Sequence, residues 1–315
     1  MNTNPNASMK HFQEPTIVTA TMECWNDITS FNQLFLSNYI FRGHADSKWG
    51  LEPSLERLVK RHHPNYKDKN IPSIYEHKML KEFKYKYPLY EINVHPKENE
   101  NLEWLTLMQH FGTPTRLLDF TNSLFVALYM ALDGSFSDNS AIWAINKLAT
   151  EREHIKTYMS INAIDSTPKS VIDTYIRDKA NSVIGMSRSS SVEKEIFPVY
   201  PQLCNERVSI QQGLFLMASD LDVTFTEVFD SFYRIENNIE VPIKELLNYS
   251  YSVAKFTGWP NLVLFKIIIP KKFKWELTQL LNQMNITAET LYPGLGGLAK
   301  SLSSLQLRDS DIYTE

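Results

Sequence analysis

Apolar positions recur at helical spacing in several parts of the chain. Leu102, Leu105 and Met108 follow one another at three-residue intervals and predict a helix over 101–110. Residues 124–132 are apolar on nearly every side, and such a pattern is typical of a helix buried at the centre of a fold. Further helices are predicted from Ile28, from Pro53, over 171–180, at about 272–284 and after Gly297.

Short β-prone runs lie between these helices and predict strands. The runs cover 38–41, 115–120, 141–145, 208–217 and 262–269. Helices and strands are interspersed without the regular βαβ order of a doubly wound sheet, and the chain has no internal repeat. We therefore predict an α+β fold in which helices pack around a mixed central sheet.

The composition limits the class of protein. The chain has 315 residues, of which 43% are hydrophobic, and this is ample for a packed core in one large domain or two modest ones. No apolar run reaches the roughly 18 to 20 residues that cross a bilayer, and the N-terminus lacks the pattern of a secretory signal. Cys24 and Cys204 do not have the Cys-x-x-Cys spacing of metal and redox sites. We therefore expect a cytoplasmic protein that does not act at a membrane.

Residues 60–87 differ from the rest of the chain in charge. They contain eight Lys or Arg residues against three acidic ones, although the whole chain has a net charge of −4. Aromatic residues are interleaved with the cations, and single-stranded nucleic acid binds to such combinations of stacking faces and positive charge. The residues predicted to bind nucleic acid, RNA or DNA, are Lys78, Lys81, Lys84, Tyr85 and Lys86. The alternative is an ordinary solvated helix face.

The sequence Phe41-Arg42-Gly43-His44 stands where a strand is predicted to end in a turn. A guanidinium in that place can hold a phosphate or carboxylate in a fixed, bidentate geometry. The glycine after it lets a ligand or another backbone approach closely. The alternative is a surface arginine paired with a neighbouring acid.

Residues 109–121 combine an amide, an imidazole, a guanidinium, a carboxylate and several hydroxyls around a helix-breaking Gly-x-Pro. Buried polar groups need partners, because each unpaired one costs roughly 1–3 kcal/mol. In one interpretation Arg116 pairs with Asp119 and His110 caps the preceding helix. In the other, the cluster lines a cleft, and a helix that begins near Thr121 points its N-terminal amides at an anionic ligand.

Two adjacent glutamines, Gln211 and Gln212, lie in the strand predicted over 208–217 and therefore point to opposite faces. One of the two amides faces inward, either into the core or into a site. Metal binding is not predicted, because the chain has neither a His-x-x-x-His pattern nor a Cys pair. The Gly-x-Ser-x-Gly nucleophile turn and the Gly-x-x-x-x-Gly-Lys phosphate loop are absent as well.

Three of these segments together resemble the FRG domain of bacteria and phages, named for its Phe-Arg-Gly. They are Phe41-Arg42-Gly43, residues 49–57 and residues 103–121. The similarity is strong over 38–146, and weaker similarity continues at 205–215 and 290–299. Many relatives carry acids within the last of these elements, where this chain has Gly294 and Gly296.

The resemblance implies a single FRG-type domain with insertions. Its parts are a flexible N-terminus at 1–14, a core at 15–146 with a basic helical insertion at 60–87, a helical and loop insertion at 147–205, and a C-terminal part of the same domain at 206–315.

A weaker resemblance, to ADP-ribosyltransferases, rests on the order of three motifs. These enzymes often place Arg before Gly on an early strand, follow it with a Ser-, Thr- or Tyr-bearing strand and helix, and carry Gln or Glu on a late strand. Arg42-Gly43, residues 121–129 and Gln211-Gln212 occur here in that order. The resemblance implies that NAD is a substrate and that ADP-ribose passes to a macromolecule.

The roles that follow from this resemblance divide into two groups. The residues implied in dinucleotide binding are Arg42, Gly43, His110, Arg116 and Thr121, with Arg116 and Asp119 ordering the site. The catalytic residues implied are His110, Asp119, Gln211 and Gln212. Because the late-strand position has Gln211-Gln212 and no Glu, the carboxylate of Asp119 or Glu289 would have to act beside the reacting ribose instead.

These observations lead to three hypotheses about function. The first is an ADP-ribosyltransferase-like enzyme of a toxin, toxin–antitoxin or phage-defence system, with an antitoxin protein as a further partner. The second is a non-catalytic module that binds nucleic acid or a partner protein, with affinity that falls steeply with salt. The third is a metal-independent nuclease that uses His110 and Asp119.

Overall fold

The structure is a computed structural model of the chain. It describes residues 16–34, 38–64, 70–90, 95–134, 137–185, 193–202, 206–247 and 264–303. The flexible N-terminus predicted at 1–14 and the loop predicted at 187–191 lie outside the described residues.

The described residues form an eight-stranded sheet. Its strands are β1 (Thr16–Thr21), β2 (Tyr39–His44), β3 (Leu117–Thr121), β4 (Ser140–Asn146), β5 (Ile196–Val199), β6 (Gly213–Ala218), β7 (Asn237–Pro242) and β8 (Leu264–Ile269). Their order across the sheet is β5-β6-β3-β2-β4-β8-β1-β7. The pairs of β1 with β7 and β8 are parallel and the other pairs are antiparallel, so the predicted mixed sheet of an α+β fold is confirmed.

Helices surround this sheet. They are α1 (Asp27–Leu34), α2 (Ser54–His62), α3 (Ile71–Lys86), α4 (Asn101–His110), α5 (Leu124–Leu132), α6 (Lys147–Asn162), α7 (Lys169–Ser182), α8 (Glu206–Ile210), α9 (Phe225–Tyr233), α10 (Lys274–Gln283), α11 (Ala288–Leu291) and α12 (Leu295–Ser303). Short 3-10 helices cover Tyr87–Leu89 and Lys271–Phe273. The buried helix predicted at 124–132 is confirmed, because α5 has those bounds and most of its residues are buried.

The strand predicted over 208–217 is wrong in its first half. Residues up to Ile210 belong to α8, Gln211 and Gln212 form a turn, and β6 begins at Gly213. The turn is sharp because Gln212 has a φ of 48°, in the left-handed region. The alternation that placed the two glutamines on opposite faces of a strand therefore does not apply.

Two groups of helices cover the same face of the sheet. Helix α5 packs on the central strands around Phe41, whereas α4 and α7 pack on β3, β5 and β6 around Leu117. Thr121 pairs with Phe41, and side chains alternate along a strand, so Leu117, Asp119 and Thr121 share the face of Phe41. Helix α9 covers the opposite face. Asp119 is the exposed residue of β3.

The sheet is weakly joined between β2 and β3. Strand β2 pairs with β4 along its whole length, from Tyr39 to His44, but the register of β2 with β3 in the described chain is the single pair Phe41 and Thr121. We call this place the β2–β3 joint. Beyond it the two strands no longer form a ladder, and polar side chains occupy the edges that this leaves open.

Gly43 is required by the packing of α5 on β2. A Cβ atom at this position would lie 2.0 Å from the carbonyl oxygen of Ala127 and 2.5 Å from the backbone nitrogen of Ala131. Both distances are far below normal contact, and both neighbours are backbone atoms of α5. Of the two predicted uses of this glycine, the structure shows the close approach of another backbone. The predicted place of Gly43 in dinucleotide binding is therefore corrected, since its free side faces α5.

Candidate functional site

Arg42 projects from β2 at the β2–β3 joint and is tied to β3. Its Nη1 donates to the carbonyl oxygen of Asp119 at 2.8 Å and lies 3.6 Å from the Asp119 carboxylate. Its Nε donates to His44 at 2.9 Å. The side chain is 16% exposed, so the guanidinium does not point into bulk solvent. Its Nη2 group makes no hydrogen bond within the described part of the chain, and this leaves one face of the guanidinium available for a ligand.

His44 holds the Arg42 side chain in place and stays neutral. Arg42 Nε lies against its Nε2, and Trp143 Nε1 lies 3.1 Å from its Nδ1. Because burial disfavours the charged ring and the Arg42 charge adds to this effect, the pKa of His44 is lowered to about 3. A neutral imidazole accepts through one nitrogen only, so it accepts from one of these two N–H groups, and a second ring proton would bring both ring nitrogens against donors.

Asp119 is oriented by a short chain of hydrogen bonds from the end of α4. Gln109 Nε2 donates to Asp119 Oδ2 at 3.0 Å, and Thr115 Oγ1 donates to Gln109 Oε1 at 2.7 Å. The side chain of Asp119 is 51% exposed, and its Oδ1 makes no hydrogen bond within the described part of the chain. The carboxylate is therefore held from one side and open on the other.

His110 and Arg207 lie near each other beside this chain of hydrogen bonds. Burial lowers the pKa of His110, and the positive charge of Arg207 lowers it further. The Arg207 guanidinium lies 4.7 Å from the centre of the Tyr292 ring, a cation–π distance, and no carboxylate of the described residues lies within 4 Å of it. Arg207 is therefore a second cation held by an aromatic ring.

We call Arg42, Gln109, His110, Asp119 and Arg207 the polar cluster. It lies around the exposed carboxylate of Asp119, which Arg42 reaches from β2 across the β2–β3 joint. Two arginines with free donor groups can hold an anion such as a pyrophosphate, since guanidinium forks match phosphate oxygens. A fixed carboxylate beside them can stabilise positive charge that develops in a bound molecule.

The comparison with family models agrees with the sequence of this region. The FRG domain model matches residues 37–140, from just before β2 to the start of β4. Residues 37–140 form an FRG domain. No curated protein and no solved structure matches the chain. The matched span contains every member of the polar cluster except Arg207, and the assignment of 147–315 to the same family module stays a prediction.

Arg116 is a structural residue of the FRG domain and does not reach the polar cluster. It is 2% exposed, and its Nε and Nη2 donate to both carboxylate oxygens of Glu76 on α3, at 2.6 and 2.5 Å. Its Nη1 donates to the carbonyl oxygens of Ala218 and Ser219. Neither of its predicted roles is correct, since it pairs with Glu76 and not with Asp119, and its guanidinium is buried away from any dinucleotide.

Thr121 likewise serves the fold. It is fully buried as the last residue of β3, and its hydroxyl donates to the carbonyl oxygen of Gln211 at 2.6 Å. The residue that caps α5 is Ser123, whose side chain accepts from the backbone nitrogen of Val126. The predicted helix start near Thr121 is therefore two residues early, and Thr121 has no free hydroxyl for a ligand.

The two glutamines have different surroundings. Gln211 is buried, and its side chain donates to the carbonyl oxygen of Leu291 at 2.9 Å, so it anchors α11 and is corrected as a catalytic candidate. The backbone carbonyl of Gln212 accepts from Asn122, and its exposed side chain makes no hydrogen bond within the described part of the chain. Gln212 therefore remains a candidate, whereas Glu289 is exposed on α11 and forms no hydrogen bond or ion pair with the polar cluster.

The basic helix contributes some of its predicted residues to a surface groove. Lys78, Lys81 and Lys86 line a groove of about 1000 Å³ on α3. Lys84 does not, because it donates to Glu98 and Asn101 and lies over the ring of Trp104. Tyr85 is 78% exposed and does not line the groove.

Sequence reasoning missed the roles of two members of the polar cluster, Gln109 and Arg207, and of the Tyr292 ring that holds Arg207. Gln109 was recognised as part of a polar segment, but its bond to Asp119 depends on how α4 ends against β3. Arg207 and Tyr292 lie 85 residues apart, and the packing of α8 against α11 brings them together. The described residues contain no group of three or more His, Cys, Asp or Glu that could hold a metal ion. In the same residues, every helix is too short or too polar to cross a membrane.

Proposed function

We propose that the polar cluster binds NAD and that the protein transfers ADP-ribose from NAD to a macromolecule. The observation that supports this proposal is the tie between Arg42 and Asp119 at the β2–β3 joint. The motifs that resemble those of ADP-ribosyltransferases are far apart in sequence, but they lie on or directly beside strands β2, β3 and β6, which are neighbours in the sheet. An arginine with an open donor group and a fixed, half-exposed carboxylate are thereby placed side by side.

The proposed chemistry assigns a role to each charge. Arg42 and Arg207 bind the pyrophosphate, and the exposed Asp119 carboxylate faces the ribose bonded to nicotinamide. The bond from the ribose C1′ to nicotinamide breaks, and neutral nicotinamide leaves with the electron pair. The positive charge on the ribose is stabilised by Asp119, and the acceptor then forms a bond to C1′ and loses a proton. A preorganised charge of this kind contributes typically 10²- to 10³-fold in rate.

An enzyme that modifies macromolecules of its own cell harms that cell. The proposal therefore places the protein among toxins or phage-defence effectors, which an antitoxin protein would hold in check. Expression in bacteria should reduce growth, and Asp119→Asn should abolish this effect.

The experiment is incubation of the purified protein with NAD labelled on its adenylate phosphate, together with cellular protein and nucleic acid. We expect release of nicotinamide and transfer of label, both reduced at least about 100-fold by Asp119→Asn. The asparagine keeps an oxygen that accepts from Gln109, so the fold should persist. Arg42→Lys should also fail, because a lysine lacks the forked donors, whereas the matched control Arg61→Lys on the exposed side of α2 should behave as wild type.

A wild-type protein that releases no nicotinamide and transfers no label refutes the proposal. Full activity of Asp119→Asn refutes the role of its carboxylate. The nuclease hypothesis is less well supported, since His110 and Asp119 share no hydrogen bond in the described chain. Cleavage of nucleic acid in the same assay without NAD would restore it.

A further inference from the structure

The groove on α3 has walls from three parts of the chain. They are the outer face of α3, the 3-10 helix Tyr87–Leu89 with Tyr90, and the loop that follows α4 at Phe111 and Thr113. The groove has a volume of about 1000 Å³, which is large enough for several flat rings side by side.

Aromatic and aliphatic side chains form the floor of the groove. Met79, Phe83 and Tyr87 recur at four-residue intervals and therefore lie in one row along α3 and the residue that follows it. Tyr90 and Phe111 add rings that are 84% and 63% exposed. Large aromatic faces open to solvent are expensive to leave uncovered, so their clustering indicates a binding surface.

Positive charge flanks this apolar floor. Lys78 and Lys81 form no ion pair with any described residue, and Lys86 pairs with Glu82 at 2.7 Å. The lining thus has three lysines against one glutamate. Its occupant should therefore be negatively charged and aromatic at the same time.

The groove is continuous with the polar cluster through the end of α4. Phe111 belongs to the groove lining and follows His110 directly, and the centres of the two rings are 4.8 Å apart. A chain lying in the groove would thus pass next to the residues proposed to hold NAD.

We propose that the groove binds a single-stranded segment of nucleic acid, which is the acceptor in the transfer reaction. The identification of this segment as the acceptor rests on the proposed function, whereas its binding rests on the groove alone. Bases stack on Tyr90 and Phe111, and phosphates contact Lys78 and Lys81. A duplex keeps its bases stacked on one another and offers no faces to these rings. An acidic peptide would satisfy the lysines and leave the exposed rings without matched partners.

The test is fluorescence anisotropy of the full chain with labelled single-stranded DNA and RNA of about 12 nucleotides, without NAD. We expect Tyr90→Ala and Phe111→Ala to weaken binding roughly ten- to a hundredfold. Tyr85→Ala is the matched control, because this tyrosine on α3 is about as exposed as Tyr90 but does not line the groove. The double variant Lys78→Gln/Lys81→Gln should reduce the slope of log affinity against log salt by about 1.4. The double variant Lys156→Gln/Lys272→Gln removes the same charge outside the groove and should retain the wild-type slope.

Each outcome decides the proposal. It is overturned if single strands do not bind, if a duplex of the same sequence binds equally well, or if Tyr85→Ala weakens binding as much as Tyr90→Ala. Binding of an acidic peptide in place of single strands would also overturn it and assign the groove to a protein partner. The binding assay contains no NAD, so a failure of the NAD chemistry leaves this result intact. Nicotinamide release by the wild type in the absence of any acceptor is measured separately, and its failure refutes the proposed function alone.

Discussion

Replacement of Gly43 by alanine tests how the Phe-Arg-Gly sequence supports the fold. The new Cβ would lie 2.0 Å from the Ala127 carbonyl oxygen and 3.0 Å from the Met130 carbonyl carbon. Normal contact requires α5 to move away from β2 by more than 1 Å, roughly the difference between 2.0 Å and a carbon–oxygen contact of about 3.3 Å. Since α5 is packed on its other sides by core residues, the strain falls near the upper end of overpacking costs, about 3 kcal/mol.

Thermal unfolding of Gly43→Ala measures this cost. At about 2–4 °C per kcal/mol for a chain of this size class, we expect the melting temperature to fall by roughly 6–12 °C. The matched control is Gly50→Ala, because nothing lies within 4 Å of the Cβ at that position. That variant should melt at or slightly above the wild-type temperature. If Gly43→Ala melts with the wild type and loses NAD binding instead, the packing argument is wrong and the glycine serves a ligand.

Two further predictions concern buried charge. Arg116→Met leaves the Glu76 carboxylate buried without its partner and should lower the free energy of unfolding by about 3–5 kcal/mol. The control Lys156→Met breaks an exposed pair with Glu153 and should leave the urea midpoint nearly unchanged. Equal effects of the two substitutions would contradict the buried role of Arg116. The pKa values of His44 and His154 are lowered by burial to about 3 and about 4, so the unfolded chain binds more protons than the folded one from about pH 6.5 downward. The free energy of unfolding should therefore fall as the pH is lowered through that window, by on the order of 1.4 kcal/mol per pH unit for each histidine. Urea titrations of His154→Asn should show a smaller change in this free energy per pH unit than the wild type. An unchanged dependence on pH would show that His154 is not held neutral.

Much of the fold was predictable because the signals are local. Residues 124–132 are apolar all round, and a helix of that kind has no place except between a sheet and the rest of the core. The Gly-x-Pro after His110 ends α4 where the sequence indicates. The FRG domain was recognisable for the same reason, since its motifs are short and continuous. The mixed α+β architecture followed from the order of the elements.

The partners of polar residues were not predictable from local patterns. Arg116 and Asp119 are three residues apart, which suggested a pair, but on a strand this spacing puts them on opposite faces. Arg116 instead pairs with Glu76, which lies 40 residues earlier in the basic insertion. Gln211 and Gln212 were assigned to a strand because β-prone residues surround them, and the left-handed turn at Gln212 has no signature in its residue type. Such contacts depend on how distant elements pack.

The alternation along β2 explains why one three-residue motif serves both the fold and the proposed site. Phe41 makes the register pair that holds β3 to β2, and Gly43 on the same face admits α5. Arg42 points to the other side, and its bond to the Asp119 carbonyl replaces the ladder that stops after Phe41. Removal of Arg42 therefore destabilises the β2–β3 joint and also weakens the binding of any ligand. Asp119→Asn changes a charge and leaves that backbone bond in place, so it separates catalysis from folding more cleanly than any substitution of the arginine.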